Sequence, residues 1–227
     1  ISERCNRVIS HKPVVNDDEL KEEEDLHDEN GPRRLRMAET VLSRRTNRIA
    51  LVMERCFNSL NQQAILRTAE CLGIQYIYVV STAKSKRKNV AKKLTKGNDS
   101  WLTIKKFKTS KECIDALKKE GREIWATDLS QDSCSLEGGD IVIPEKVAIV
   151  VGNETEGVTK EMLEAAEKRI YLPMHGFSES LNLGVASALV LQKLLSLCPD
   201  ARGNLSQEEK ATLRKEWYLK LSNNDKQ

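Results

Sequence analysis

The chain has 227 residues, 31% of them charged, and a formal net charge of only +3. This length fits one globular domain with extensions, and no apolar run approaches the roughly 20 residues that span a bilayer, so we expect no membrane partner. The 6 cysteines are scattered without a Cys-x-x-Cys pair or histidines at zinc-finger spacing, which argues against a disulfide framework and against a bound metal.

The N-terminal segment has no hydrophobic periodicity, and residues 17–29 are dominated by aspartate and glutamate. Because such a segment buries too little apolar surface to offset the entropy lost on ordering, residues 1–31 are predicted to be a disordered acidic arm. The chain begins with Ile1 rather than methionine, so we expect upstream sequence to be missing. The expected compartment is the cytoplasm, or a chloroplast or mitochondrion if a transit peptide has been removed.

A basic amphipathic helix is predicted next, at residues 33–42. Its apolar side chains fall on one face at helical spacing, and its arginines fall on the other. The apolar residues are Leu35, Ala38, Val41 and Leu42, and the arginines are Arg33, Arg34 and Arg36. A solvated surface helix and an RNA-binding helix both fit this pattern.

Strand-like and helix-like segments then alternate along the chain. Strands are predicted at residues 49–53, 75–81, 123–128, 147–151 and 169–172, and helices at residues 64–72, 110–119, 159–167 and 187–197. Asn58 and Asn61 fall in the predicted loop between the first strand and its helix, while Thr159 and Asn182 suit helix N-caps. The alternation predicts one α/β domain at residues 32–198, with a mostly parallel sheet and helices on both faces. A helical extension is predicted at residues 199–227.

Basic residues are concentrated a second time at residues 84–96, after the second predicted strand, and Trp101 follows them. They include Lys86, Arg87, Lys88 and Lys96. A positive loop near strand ends can bind phosphates, and an aromatic residue beside it can stack on a base or anchor the loop. A run of charges can equally be a solvent-exposed face, so both interpretations stay open.

The last two predicted strands end in loops of small and amide residues. Gly152 and Asn153 follow one strand, and Ser180 and Asn182 lie in the loop after the other. These residues offer close backbone approach and hydrogen-bonding groups, so a ligand site is predicted here. Gly-x-Gly-x-x-Gly, Walker and Gly-x-Ser-x-Gly motifs are absent, which argues against a Rossmann dehydrogenase, a P-loop nucleotide hydrolase and a serine hydrolase.

Three segments resemble the ordered motifs of the SpoU branch of the SPOUT methyltransferases, and most closely those of its TrmH subgroup. They are Asn-Gln-Gln-Ala-Ile-Leu-Arg-Thr-Ala at residues 61–69, Gly-Asn-Glu-Thr-Glu-Gly-Val at residues 152–158, and Leu-Pro-Met at residues 172–174 followed by Ser-Leu-Asn at residues 180–182. Three motifs in this order and spacing are far more specific than any one of them. The resemblance covers roughly residues 33–197.

The resemblance implies an α/β fold with a deep C-terminal trefoil knot, which is rare among proteins, and a homodimer. It implies an enzyme that uses S-adenosylmethionine to methylate the 2′-hydroxyl of a ribose in RNA. Transfer RNA is the favoured substrate, with a guanosine of its D-loop as the favoured target. The alternatives are a ribosomal RNA substrate, or a catalytically silent RNA-binding or assembly module on the same fold.

The family's site residues map onto this sequence by position. The resemblance assigns catalytic positions to Asn61, Arg67, Glu154, Ser180 and Asn182, and cofactor positions to Gly152, Leu172 and Leu181, with Thr127, Leu129, Asn153, Gly157 and Met174 as further cofactor candidates. The implied role of Arg67 is to help the ribose hydroxyl lose its proton. Because arginine is normally always protonated, Arg67 could instead stabilise the developing alkoxide. The RNA is expected to contact the basic residues of the two segments named above.

Overall fold

The structure is a computed structural model that describes residues 33–81, 98–138 and 141–224. The predicted acidic arm lies outside the described residues. The same is true of the basic loop with its candidate RNA contacts Lys86, Arg87, Lys88 and Lys96. Both predictions therefore stay predictions.

A sheet of 7 strands forms the centre of the described chain. The strands are β1 (Ile49–Glu54), β2 (Tyr76–Val80), β3 (Thr103–Phe107), β4 (Glu123–Thr127), β5 (Cys134–Ser135), β6 (Val147–Val151) and β7 (Lys168–Tyr171). Their spatial order is β3-β2-β1-β6-β4-β7-β5, and every neighbouring pair is parallel. The predicted parallel α/β class is confirmed, while the threading of the chain through a knot stays a prediction.

Helices cover both faces of this sheet. They are α1 (Arg33–Ser43), α2 (Ser59–Cys71), α3 (Ser110–Lys119), α4 (Lys160–Ala165), α5 (Leu183–Leu197) and α6 (Gln207–Asn224), with short 3₁₀ helices at Asn98–Trp101 and Pro199–Ala201. Successive residues of a strand point to opposite faces, so Leu51 packs with α2 and α5 while Val52 packs with α3 and α4. All 6 residues of β1 are buried, as expected for a central strand of a parallel sheet.

The terminal helices pack against each other beside the sheet. Leu42 of α1 and Trp217 of α6 belong to one buried apolar cluster. At its edge, Glu39 accepts two hydrogen bonds of 2.8 Å from the Arg214 guanidinium and one of 2.7 Å from the Tyr218 hydroxyl. The predicted basic helix and the predicted C-terminal helix are therefore both confirmed, and they form one packed pair. The proposed boundary at residue 198 stays a prediction.

Several predicted boundaries were wrong. Helix α2 begins at Ser59, because the Asn58 side chain caps it by accepting from the amides of Leu60 and Asn61. Asn61 therefore lies in the first turn of a helix rather than in a loop. Strand β3 was missed because its residues are only partly buried at the sheet edge, which leaves lysines among its apolar residues and weakens the pattern.

Within residues 33–81, 98–138 and 141–224, no helix has the length and hydrophobicity needed to cross a membrane.

Candidate active site at the carboxyl edge of the sheet

Four neighbouring strands deliver the predicted site loops to one edge of the sheet. Met53 of β1 pairs with Val151 of β6, and Ala126 of β4 pairs with Val150. β4 also pairs with β7, where Thr127 is opposite Ile170. Because the strands are parallel, the segments that follow them all emerge at the same edge, the usual location of ligand sites in such sheets.

Side-chain hydrogen bonds connect the three sequence motifs at this edge. The Asn61 amide donates to Glu154 Oε1 over 2.7 Å, and the Asn182 amide donates to Asn61 Oδ1 over 3.1 Å. Asn182 Oδ1 in turn accepts from the backbone amide of Gly184 over 2.9 Å, which caps α5. Both ends of the Asn61 and Asn182 amides are engaged, so the network fixes their orientation. We call these three side chains the amide network.

The 152–157 loop that carries Glu154 folds back on itself. Asn153 and Gly157 exchange two backbone hydrogen bonds of 2.9 Å. The Asn153 side chain accepts from the amides of Thr155 and Glu156 and donates to the carbonyl of Arg55. A Cβ on Gly152 would lie 2.2 Å from the backbone of Gly157, so glycine is required by this close approach. Asn153 was predicted to bind the cofactor, and in the structure its side-chain oxygen and nitrogen form hydrogen bonds that shape the loop.

Arg55 follows β1 directly and has an unusual backbone. Its φ is 54°, and no other non-glycine residue in the part of the chain that the structure describes has a positive φ. Its Nη2 lies 2.9 Å from Glu156 Oε2, while its Nε is buried and has no hydrogen-bond partner in the described ranges. A left-handed conformation costs an L-residue about 1–2 kcal/mol, whereas an ion pair this exposed returns about 0.2–1 kcal/mol. The ion pair does not offset the strain.

Glu54, at the last position of β1, was missed in the sequence because its strand was predicted to end at residue 53. Its carboxylate is fully buried and accepts from the Ser110 hydroxyl at the start of α3. It also accepts from the amide and the hydroxyl of Thr159, over 2.8 Å and 2.7 Å. Thr159 is the N-cap of α4, so Glu54 fixes the chain where it leaves the 152–157 loop. The sequence signal for Glu54 is a carboxylate directly after an apolar strand, because a carboxylate buried there needs hydrogen-bonding partners.

Cys56 lies under the same loop. Its Sγ is 3.4 Å from the carbonyl oxygen of Gly152. Burial, together with the nearby carboxylates of Glu154 and Glu54, raises the pKa of the Cys56 thiol to about 12. The thiol therefore stays protonated at neutral pH and fills space rather than acting as a nucleophile.

The model of the SpoU rRNA Methylase family matches residues 48–192. The chain belongs to the SpoU rRNA Methylase family. All three sequence motifs lie within the matched residues, whereas α1 and α6 lie outside them. The resemblance found in the sequence is thereby confirmed.

Individual members of the SpoU family are similar to the chain over most of its length. A protein of Borreliella burgdorferi named tRNA (guanosine(18)-2'-O)-methyltransferase is 36% identical, over 82% of this chain and 84% of its own. The crystal structure of the A. aeolicus TrmH/SpoU tRNA modifying enzyme has a TM-score of 0.72 and 31% identity, over 82% of this chain and 95% of that one. The SpoU methyltransferase AviRb from Streptomyces viridochromogenes, in complex with the cofactor AdoMet, shares the fold with a TM-score of 0.56 and 20% identity, over 67% of this chain and 58% of that one.

The predicted catalytic residues of this SpoU chain do not all meet. Asn61, Glu154 and Asn182 form the amide network. Arg67 lies roughly 120° around α2 from Asn61, on the exposed side of the helix. The Arg67 guanidinium has no hydrogen bond or ion pair among the described residues, and it borders a shallow groove of about 450 Å³ between α2 and α5. Ser180 is exposed in the loop before α5. Their predicted roles stay predictions.

The predicted cofactor positions of the SpoU chain surround the ends of β4, β6 and β7. Thr127 donates from its hydroxyl to the carbonyl of Val150 over 3.0 Å, which ties the end of β4 to β6. Leu129 and Leu181 are large apolar residues that are 61% and 41% exposed. Leu172 and Met174 are half-buried after β7, and Gly157 has a φ of 70° in the 152–157 loop. Apolar side chains beside backbone amides and carbonyls suit a ligand with a flat aromatic base.

The described residues include no group of three or more histidine, cysteine, aspartate and glutamate side chains that could hold a metal ion. Of the predicted RNA contacts, Arg33 and Arg34 are exposed on α1 and Arg36 is half-buried there.

Proposed function

We propose that this protein transfers a methyl group from S-adenosylmethionine to the 2′-hydroxyl of a ribose in RNA, that the RNA is tRNA, and that a guanosine of the D-loop is the target. Membership of the SpoU family supports the reaction class. The name of the B. burgdorferi relative, tRNA (guanosine(18)-2'-O)-methyltransferase, supports the substrate at 36% identity over most of both chains.

The amide network is the observation on which the proposal rests. It joins a residue of α2, a residue of the 152–157 loop and the N-cap of α5 through hydrogen bonds of 2.7 Å and 3.1 Å. Glu154 and Asn182 come 93 and 121 residues after Asn61 in the sequence, yet all three share one edge of the sheet. Asn61 is buried while Glu154 and Asn182 are exposed, so the network links the core to a surface that a ligand can reach.

The residues at this edge fit S-adenosylmethionine. Leu129, Leu172 and Leu181 would pack against the adenine, and backbone groups around Gly152 and Met174 would supply the hydrogen bonds. Such an apolar pocket with a few converging polar groups is typical of cofactor sites. When bound, S-adenosylmethionine supplies a methyl group on a positively charged sulfur, which is open to attack by an oxygen nucleophile.

Arg67 is the residue proposed to act on the ribose. Its exposed guanidinium offers five N–H donors and no acceptor, so it can hold an oxygen that gains negative charge. A ribose hydroxyl is a weak nucleophile, and stabilising its developing alkoxide lowers the barrier. We assign Arg67 this electrostatic role rather than that of a proton acceptor, because guanidinium does not deprotonate at neutral pH.

A homodimer is proposed from the same face of α2. Arg67 shares that exposed face with Leu60 and Ala64, and α5 exposes Val185 and Leu189 beside it. Contiguous exposed apolar residues favour association. Because Arg67 lies on this face, a second copy packed here would bring each Arg67 against the partner. Light scattering should show a dimer that Leu189→Glu disrupts, whereas Leu219→Glu, at a residue 57% exposed on α6, leaves it intact.

The central test is an incubation of the purified protein with labelled S-adenosylmethionine and, separately, total tRNA and total rRNA, followed by mapping of the modified ribose. We expect label in tRNA at a D-loop guanosine. Label in rRNA alone would show that rRNA is the substrate instead of tRNA, and it would support the proposed reaction. Binding of RNA without any label would favour the catalytically silent module.

The compartment is a separate proposal. We propose that the protein works in the cytoplasm or, if a transit peptide precedes Ile1, in a chloroplast or mitochondrion. Imaging of a tagged protein expressed from its complete reading frame would distinguish these compartments.

A further inference from the structure

We infer that Arg55 is a positioning residue that holds the 152–157 loop ready for its ligand. This inference rests on the proposed function, because the ligand of the loop is taken to be S-adenosylmethionine. Arg55 contacts the loop twice. Its backbone carbonyl accepts from Asn153 Nδ2 over 3.0 Å at the base of the loop, and its guanidinium lies 2.9 Å from Glu156 near the tip.

Fold stability does not explain an arginine at this position. Glycine reaches the left-handed region without strain, and asparagine reaches it more easily than arginine does. Either residue would keep the backbone hydrogen bond to Asn153, because that bond uses the carbonyl of residue 55. What arginine adds is an ion pair whose two side chains are 32% and 60% exposed, and a buried Nε without a partner among the described residues. The exposed ion pair contributes little to stability. The buried Nε lowers stability because it has lost its hydrogen bond to water.

The ion pair matters for the site because of where the loop goes. Glu154 lies two residues before Glu156 and accepts from Asn61 in the amide network. Movement of the loop would therefore displace a Glu154 carboxylate that helps to orient Asn61. The far end of the loop is already fixed, because Glu54 holds Thr159 just beyond Gly157. Arg55 adds a restraint at Glu156, between Asn153 and Gly157, so less order has to be gained when the ligand binds.

The test combines thermal unfolding with calorimetric binding of S-adenosylmethionine. Arg55→Asn should raise Tm by about 2–4 °C, since it relieves backbone strain in a chain of this size. The same change should weaken binding of S-adenosylmethionine about fivefold, because the loop must then be ordered on binding. A simple packing role predicts that both quantities fall together. Arg55→Lys keeps the strain and the charge, so it should leave Tm unchanged and weaken binding less than Arg55→Asn does.

A matched pair of carboxylate variants isolates the ion pair. Glu156→Gln should weaken binding of S-adenosylmethionine without raising Tm. Glu164→Gln removes the exposed Lys160–Glu164 ion pair on α4, where the carboxylate is 63% exposed compared with 60% for Glu156, and should leave binding unchanged. The double variant Arg55→Asn with Glu156→Gln should bind S-adenosylmethionine no more weakly than Arg55→Asn alone. Each change removes the same Arg55–Glu156 ion pair, so the second change has nothing further to remove.

A ligand-free measurement separates this inference from the proposed function. The amides of Thr155 and Glu156 donate to Asn153 Oδ1, so their hydrogen exchange reports the order of the loop. We expect faster exchange there in Arg55→Asn. Unchanged exchange together with unchanged binding would overturn the inference. Failure of the wild-type protein to bind S-adenosylmethionine would instead overturn the proposed function and leave the exchange result to decide the role of Arg55.

Discussion

The α1–α6 helix pair and the carboxyl edge of the sheet use charged and aromatic residues in opposite ways. In the helix pair, Trp217 is 2% exposed and Glu39 accepts three hydrogen bonds. At the carboxyl edge, Phe177 is fully exposed, and on the α2 helix that starts there Arg67 has no polar partner among the described residues. Charged and aromatic groups contact one another within the fold in the first region, and groups are left available to other molecules in the second.

Two arginines illustrate the same contrast. Arg45 is fully buried, lies 2.8 Å from Glu70 and has its guanidinium 5.3 Å from the centre of the Trp217 ring. Burial lowers the pKa of Arg45, and the nearby Glu70 carboxylate opposes that effect. Arg55 instead has a strained backbone and an exposed ion pair. Substitutions in the helix pair should therefore affect unfolding first, and substitutions at the edge should affect binding or catalysis first.

The largest effect is expected for Trp217→Ala. Removing this buried ring also removes its edge-on contact with Trp101 and its cation–π contact with Arg45. The free energy of unfolding should therefore fall by about 3–5 kcal/mol. Because the ring packs in the α1–α6 cluster and belongs to no part of the amide network, methyl transfer per folded molecule should not change. Urea unfolding and an activity assay well below the midpoint measure the two quantities. A loss below 1 kcal/mol would contradict the assigned packing role.

Arg67→Ala should show the reverse behaviour. We expect kcat to fall by about 10²–10³-fold, the usual cost of removing one donor to a developing oxyanion. Tm and binding of S-adenosylmethionine should stay unchanged, because the side chain is exposed and makes no polar contact among the described residues. Single-turnover kinetics on tRNA measure the effect, with Arg214→Ala on α6 as a control that lowers stability instead. Near-normal turnover would remove Arg67 from the mechanism.

Gly152→Ala tests the close packing of the 152–157 loop. A methyl group there would lie 2.2 Å from the Gly157 backbone, so the loop must open at a cost of about 1–3 kcal/mol. We expect weaker binding of S-adenosylmethionine and faster exchange of the loop amides. Gly157→Ala is the matched control, because its Cβ would meet nothing within 4 Å and only the φ of 70° is strained. Equal effects of the two variants would contradict the steric explanation.

The smallest effect concerns the buried thiol beneath that loop. The pKa of Cys56 is raised from 9.0 to about 12, mainly by burial. Because the folded pKa exceeds the unfolded one, the protonated thiol stabilises the fold fully below about pH 9, and this contribution is lost as the pH rises toward 12. Iodoacetamide at pH 8.5 should modify the exposed Cys71 and Cys134 and leave Cys56 unmodified, as peptide mass spectrometry would show. Rapid labelling of Cys56 would indicate that the loop opens.

Much of the fold followed from local sequence. Strand β6 was predicted with its observed bounds. Its five consecutive apolar residues lie between a loop and a glycine, and a run this short favours a buried strand over a helix. The capping roles of Thr159 and Asn182 were also predicted correctly, since a short polar side chain before an apolar helix has a local structural reason. The polar residues of the amide network were identified through the resemblance, each from its own motif.

Other features depended on the packing of distant segments. The register of β1 against β6 places Arg55 and Glu54 beside the 152–157 loop, about a hundred residues later in the chain. No local pattern reports that proximity. The separation of Arg67 from Asn61 by roughly 120° around α2 was hidden by the prediction that the helix begins at residue 64. The sequence by itself thus determined most of the elements, the caps at Thr159 and Asn182 and the family, because these depend on neighbouring residues. Only the tertiary structure decided which side chains meet, because the parallel pairing of strands brings together residues that are far apart in the chain.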